Sequence, residues 1–263
     1  MDSLYNADFF REKRESASSS AAVVVPLAME LVKPQSVVDV GCGTGAWLAA
    51  FRSAGVERIV GIDGDYIDRH SLSIPLEAFV AADLTTELKL GQNFDLCISL
   101  EVAEHLPAVA ARGFVTSLVQ LAPAVLFSAA VPGQTGTGHV NERWPNYWMS
   151  LFAEHGYVRL DPFRKNLWHD CRVAWWYRQN LFLYIDPRRI SWPGFDANNV
   201  LAWTTPSSDL VLLHFDIVRR LETTICEQRH RIDQLSTGRG ALVVLGQRVI
   251  RKLTRWLRRP VRE

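Results

Sequence analysis

Residues 1–35 read as helical, and from residue 36 onward short apolar runs alternate with longer amphipathic stretches. The runs at 36–40, 58–63, 77–81, 94–100 and 124–130 are strand-length and rich in branched apolar residues. Continuous apolar runs, without polar alternation, are expected where both faces of a sheet are covered. The stretches between them, such as 46–54 and 101–121, read as helices. This alternation predicts an α/β fold: a doubly wound, Rossmann-like parallel sheet with helices on both faces. The segment 17–32 follows Arg11, Lys13 and Arg14 and resembles a leader at first sight. Pro26 and Glu30 interrupt it and it runs straight into a glycine motif, so it is expected to pack on the domain. No run is expected to span a bilayer. A Gly/Thr-rich loop (132–138) and an aromatic-dense stretch (139–185) should close the fold. The character then changes: 187–206 is rich in Pro, Asn and Ser, and helices are predicted at 210–234 and 241–258, separated by a breaker at 236–240. The division expected is a domain at 1–205 followed by a helical extension at 206–263.

The remaining bulk properties narrow the class. With 48% hydrophobic residues the chain can bury a substantial core, and a net charge of +1 does not suit a polyanion binder. The charge is unevenly placed, because 248–263 holds seven basic residues and one acid. Cys42, Cys97, Cys171 and Cys226 form no CxxC pair, which points to a reducing compartment. Cys42 and Cys97 fall in or beside predicted strands, where a thiol is usually a small buried core residue.

The string VVDVGCGTGAW at 37–47 joins a strand to a helix through a turn containing Gly41, Gly43 and Gly45. A turn without Cβ atoms lets a ligand lie against backbone, beside the free N–H groups of a helix start. A bare G-x-G-x-G also fits dinucleotide enzymes, but their third glycine, three residues on, is here Leu48. The whole string resembles the first motif of class I S-adenosylmethionine-dependent methyltransferases, and the resemblance covers roughly 36–185. It implies S-adenosylmethionine as methyl donor. It also implies that Asp63, ending IVGID, accepts hydrogen bonds from the ribose diol, for which a carboxylate has two acceptor oxygens. Asp83 would meet the adenine amino group, Leu84 would pack on the ring, and Asp39 would order the glycine turn. The alternative is that Asp63 and Asp83 merely cap the helices after them.

The string FDLCISLEVAEHLP at 94–107 enters the predicted helix 101–121 with Glu101, Glu104 and His105 spaced i, i+3, i+4, hence on one helical face. This E-x-x-E-H pattern resembles that of small-RNA 3′-terminal 2′-O-methyltransferases and of ubiquinone-pathway O-methyltransferases. In the former a histidine after the fifth strand completes a divalent-metal site, which here would be His139. The set Glu101, Glu104, His105 and His139 suits Mn²⁺, Fe²⁺ or Zn²⁺ by ligand type, while the resemblance points to Mg²⁺. Glu104, His105 and His139 are thus candidate catalytic residues. Without a metal, His139 is the leading general base. Otherwise the two acids only favour a helix start and His139 is a loop residue.

Trp144, Tyr147, Trp148, Trp168, Trp175, Trp176 and Tyr177 crowd one segment. Aromatic faces stack on sugar rings, though such crowding also builds cores. Trp144 and Trp148 should share a helical face. HVNERWPNYW and WWYRQN resemble methyltransferases of bacterial surface-polysaccharide assembly. In 241–258, Leu242, Leu245, Val249, Leu253 and Trp256 form an apolar stripe among basic residues. Such a helix either lies on an anionic membrane or docks on protein. The expectation is a cytoplasmic O-methyltransferase, held at the inner face of the membrane if the tail lies on lipid, acting on a sugar hydroxyl of a surface glycan or its precursor. The alternatives are a methyltransferase of RNA ribose or of a small metabolite, or an inactive donor-binding subunit. No nucleic-acid partner is expected, since residues 1–205 carry no basic patch.

Overall fold

The computed structural model describes residues 7–189, with the isolated positions Gln228 and Arg231. The chain divides into two compact units, Met1–His214 and Phe215–Glu263. The fold described is that of the first; the helices predicted at 210–234 and 241–258, and most of 187–206, lie outside the described residues.

Seven strands form one sheet in the order β3-β2-β1-β4-β5-β7-β6. They are β1 (Ser36–Val40), β2 (Arg58–Asp63), β3 (Phe79–Ala81), β4 (Leu96–Leu100), β5 (Ala124–Ser128), β6 (Val158–Leu160) and β7 (Phe182–Ile185). The first five are parallel, with Val38 opposite both Val60 and Cys97. β7 runs antiparallel to β5, and β6 antiparallel to β7. This is the predicted α/β sheet, and the five predicted strands all form. The antiparallel edge was not predicted strand by strand; its two members lie in the aromatic-dense closing segment.

Side chains alternate between two cores, one on each face of the sheet. Val37, Leu96, Ile98, Leu126 and Leu183 face one cluster, and Val38, Cys97, Val125, Phe127 and Tyr184 face the other. The first core is covered by α1 (Ala7–Val32), α2 (Ala46–Ser53) and α5 (Trp175–Asn180), and the second by α3 (Ala111–Leu121) and α4 (Pro145–Ala153). In the second, Phe152 stacks on Tyr184 at 3.9 Å and meets Phe127 edge-on. Replacing a buried ring of this kind by alanine costs about 3–5 kcal/mol.

α1 differs from expectation in one respect. Its window Glu15–Val32 is long and apolar enough, by length and composition, to cross a membrane. Its Ala21, Val24, Val25, Ala28 and Val32 are buried at helical spacing, in one cluster with Trp47, Leu48 and Phe51 of α2. That stripe makes it a packed helix of the domain, as predicted from Pro26 and Glu30, and Pro26 sits on its exposed side.

The predicted helix 101–121 is corrected more deeply. Glu101 adopts φ 56°, a single 3₁₀ turn covers Ala103–His105, another covers Ala108–Ala110, and α3 begins only at Ala111. Pro107 is the reason: it clashes with a helical conformation at the preceding residue, and Leu106 is extended. The pair Trp144 and Trp148 is corrected too, because Trp144 lies outside α4 as its N-cap with Pro145 following.

Candidate active site

The order of strands reverses between β1 and β4, so the carboxyl ends of these two strands open a crevice, where open α/β sheets bind ligands. The glycine turn leaves β1 on one side of it. The chain following β4 and β5 forms the other side.

The turn is built on left-handed backbone, with φ of 88°, 53° and 81° at Gly41, Gly43 and Gly45. The glycines differ in what they exclude. A Cβ on Gly41 would fall 2.3 Å from Val102 Cγ2, whereas one on Gly43 would meet nothing within 4 Å. Gly43 therefore faces open space, the side on which a ligand could lie on backbone, while Gly41 is required by the protein's own packing. Asp63, at the end of β2, ties the turn down: its Oδ2 accepts from Gly43 N at 2.7 Å. Its Oδ1 accepts from Gly64 N and from the Tyr66 hydroxyl, each at 2.7 Å. The side chain that orders the turn is thus that of Asp63, a role expected of Asp39. Asp39 is buried in β1, and burial, with the negative Asp63 nearby, pushes its carboxyl well above the ordinary range. Asp83 is exposed and its Oδ1 accepts from both Thr85 N and Thr85 Oγ1, bonds that lower its pKa. These bonds close a local turn, and no helix follows Asp83 before β4 for it to cap. Leu84 is buried in the second core.

Across the crevice the left-handed Glu101 donates its N–H to Ser128 of β5, both to the carbonyl at 3.0 Å and to the hydroxyl at 3.1 Å. Its carboxylate accepts from Gln134 Nε2 at 2.7 Å and from Asn180 Nδ2 at 3.1 Å, and Gln134 and Asn180 are themselves buried. Strained backbone at a strand end, held by such surroundings, is often functional. Glu104 has no exposed surface, and neither of its carboxylate oxygens accepts a hydrogen bond. Burial and the nearby Glu101 push its carboxyl well above the ordinary range. Its main-chain carbonyl accepts from Val140 N and Asn141 N, which brings the segment after β5 onto the turn after β4. This pairing places His139 beside Glu104, with Nε2 4.0 Å from Glu104 Oε1, and edge-on to the His105 ring at 4.9 Å.

One ligand atom each from Glu104, His105 and His139 lies within 4.8 Å of the others. Three of the four predicted ligands therefore converge, by a tight turn and a neighbouring strand and not by one helical face. Glu101 is the fourth: it lies beside Glu104, with its own oxygens engaged by amides. An unsatisfied buried carboxylate needs a cation or a proton, so a divalent ion fits the donor set of Glu104, His105 and His139. Gln134, Asn180, Tyr66 and Glu142 were not predicted from sequence. Polar residues in a loop or at a helix end carry no pattern that separates them from solvent-facing neighbours.

The aromatic segment divides. Trp148 and Tyr177 are buried, while Trp144, Tyr147, Trp168, Trp175 and Trp176 are half-buried. Tyr177 packs edge-on against Trp47, the second residue of α2, at 5.1 Å.

A fold of this topology with a glycine turn and an acid at the end of the second strand defines a class of nucleotide-binding proteins, and comparison with known proteins makes it specific. The family described as a methyltransferase domain matches residues 10–169, more than half the chain, and the chain belongs to it. It is an S-adenosylmethionine-dependent methyltransferase of the Rossmann-like class I fold. Among solved structures, the amino pentose methyltransferase CalS10 of Micromonospora echinaspora, with S-adenosylmethionine bound, is similar at 17% identity. The match covers 71% of this chain and 99% of that one, with a TM-score of 0.50. A Nostoc punctiforme protein named as an O-methyltransferase matches at 13% identity over 67% of this chain and 58% of that one, with a TM-score of 0.51. At these identities the likeness is one of fold. No curated protein matches the sequence.

Proposed function

We propose that this protein transfers the methyl group of S-adenosylmethionine to a sugar hydroxyl of a surface polysaccharide or its precursor, at a centre that takes a divalent cation. The observation that carries the reading is the fully buried, unpartnered Glu104 carboxylate converging with His105 and His139. An aliphatic hydroxyl holds its proton about as tightly as water does, so its oxygen is a poor nucleophile at neutral pH. A bound Mg²⁺ or Mn²⁺ supplies the Lewis acidity that eases loss of that proton. Glu104, His105 and His139 would hold the ion, and Glu101 adds a carboxylate beside them. On the donor side, Asp63 and the glycine turn would hold the nucleoside, and the hydroxyl oxygen would give its proton to solvent and take the methyl group as the sulfonium sulfur leaves with the bonding pair. If no cation binds, His139 Nε2 takes the hydroxyl proton.

The sugar acceptor is supported by the half-buried Trp144, which follows His139 and leaves aromatic surface for a ring to stack on. CalS10 shows this fold working on a sugar. The deciding experiment is deletion of the protein followed by mass spectrometry of surface glycans. Loss of one CH₂ mass supports the reading, and unchanged glycans sink the sugar. Chelation then separates the two chemistries: activity on glycan extract that survives chelator and disappears only in His139→Ala assigns the proton to the histidine. The same proposal locates the protein in the cytoplasm, with residues 241–258 meeting anionic lipid. Truncation after Gly240 should abolish flotation with anionic liposomes at low salt, and wild-type flotation should fade as salt rises. Equal flotation of both forms leaves a protein-docking tail.

A further inference from the structure

His139 is held by more than its contact with Glu104. Its Nδ1 lies 2.9 Å from Glu142 Oε1. That carboxylate also gathers the loop before the histidine: Oε1 accepts from Thr135 N at 2.8 Å and Oε2 from Gly133 N at 2.9 Å. The imidazole lies against Gly136, where a Cβ would come 2.2 Å from Nε2. Glu142 is on one side of the ring, and Glu104 and His105 are on the other.

Both Glu142 oxygens already accept a backbone N–H, and Oε1 faces the ring at 2.9 Å as one more acceptor, so Nδ1 is the donor of that contact. In a neutral imidazole the other nitrogen is then the bare one. The geometry points to Glu142 as a positioning residue that fixes His139 in the Nδ1–H tautomer, with the Nε2 lone pair aimed at Glu104 and His105. The assignment rests on the reading of those residues as the acceptor-side centre, and it serves either chemistry there. A ligating histidine commonly gives its second N–H to a carboxylate, which sets ring orientation and basicity. A histidine base needs the same bare nitrogen. Because one carboxylate holds both the loop amides and the ring, the loop 133–135 and His139 are located together, and Gly136 leaves the space the ring occupies.

The test is the tautomer of His139 in the full-length, metal-free protein, read from ¹⁵N-histidine long-range NMR spectra at a pH where the ring is neutral. The expected result is Nδ1–H in the wild type and a shift toward Nε2–H in Glu142→Ala. Electron paramagnetic resonance with Mn²⁺ should show affinity reduced by about 10–100-fold in Glu142→Ala, with S-adenosylmethionine affinity unchanged by calorimetry. Partial recovery is expected in Glu142→Gln, which keeps one carbonyl oxygen for Nδ1–H. An Nε2–H tautomer in the wild type overturns the assignment, as does a Glu142→Ala protein with wild-type Mn²⁺ binding and turnover. If the wild type binds no Mn²⁺, only the cation reading fails. The tautomer then still decides, supported by lost turnover of glycan extract in Glu142→Ala at unchanged donor affinity. Should Glu142→Ala not fold, the wild-type spectrum decides without it.

Discussion

The two sides of the crevice are built in opposite ways. On the glycine side, Asp63 accepts from Gly43, Gly64 and Tyr66, all drawn from a turn and the strand end beside it, with acceptor capacity left on Oδ2. On the other side Glu104 is buried with no hydrogen bond to either oxygen, in a cluster that joins the turn after β4 to the loop after β5. The first is a cradle whose shape is held by its own hydrogen bonds before a ligand arrives. The second is a site left short of positive charge, held together by the rest of the fold. Stability and function should therefore separate on the second side and stay joined on the first.

The largest expected effect breaks the second side alone. Glu104→Gln keeps shape and removes charge. Turnover of glycan extract should fall by on the order of 10²–10³-fold, as when one preorganised charge-stabilising group is lost, while calorimetry should give an unchanged donor affinity. A parallel loss of donor binding would show that the two sides are not separable.

A smaller effect is expected on the first side. Asp63→Ala should weaken S-adenosylmethionine binding by about 1–3 kcal/mol, the cost of hydrogen bonds to a charged group. It should also lower the melting temperature, because Gly43 N loses its acceptor. Unchanged affinity in calorimetry would remove Asp63 from the donor site, and preference for NAD would contradict donor use altogether.

The smallest effect sharpens the comparison through pH. Burial raises the folded-state pKa of Asp39, so the folded protein binds that proton more tightly than the unfolded chain does. Its stabilising contribution is full below the ordinary aspartate range and is lost as pH rises through that range toward the raised folded value. For one proton the slope is at most about 1.4 kcal/mol per pH unit. Melting temperature against pH should fall across this window in the wild type and fall less in Asp39→Asn; identical curves would mean that Asp39 ionises freely in the fold.

Much of this architecture was legible from residue patterns because its determinants are local. The runs at 36–40 and 58–63 are strands with those bounds, since branched apolar residues between turn formers have few other uses. Gly41, Gly43 and Gly45 announced a turn because left-handed backbone is cheap only for glycine. Legibility failed where distant groups compete. The spacing of Glu101, Glu104 and His105 suggested a helix, and Pro107 together with the bonds from Glu101 N to Ser128 imposed a turn in its place. The same three residues still converge with His139, but by a geometry no periodicity contains.

What the amino-acid order determined on its own was therefore the sheet, the glycine turn and the acid at the end of the next strand, because each depends on neighbours a few residues away. Tertiary structure alone decided which polar side chains share the crevice. It left Glu104 unsatisfied, clamped Glu101 between Gln134 and Asn180, and set Glu142 behind His139. These contacts join segments up to 79 residues apart, and burial, not spacing, made them consequential.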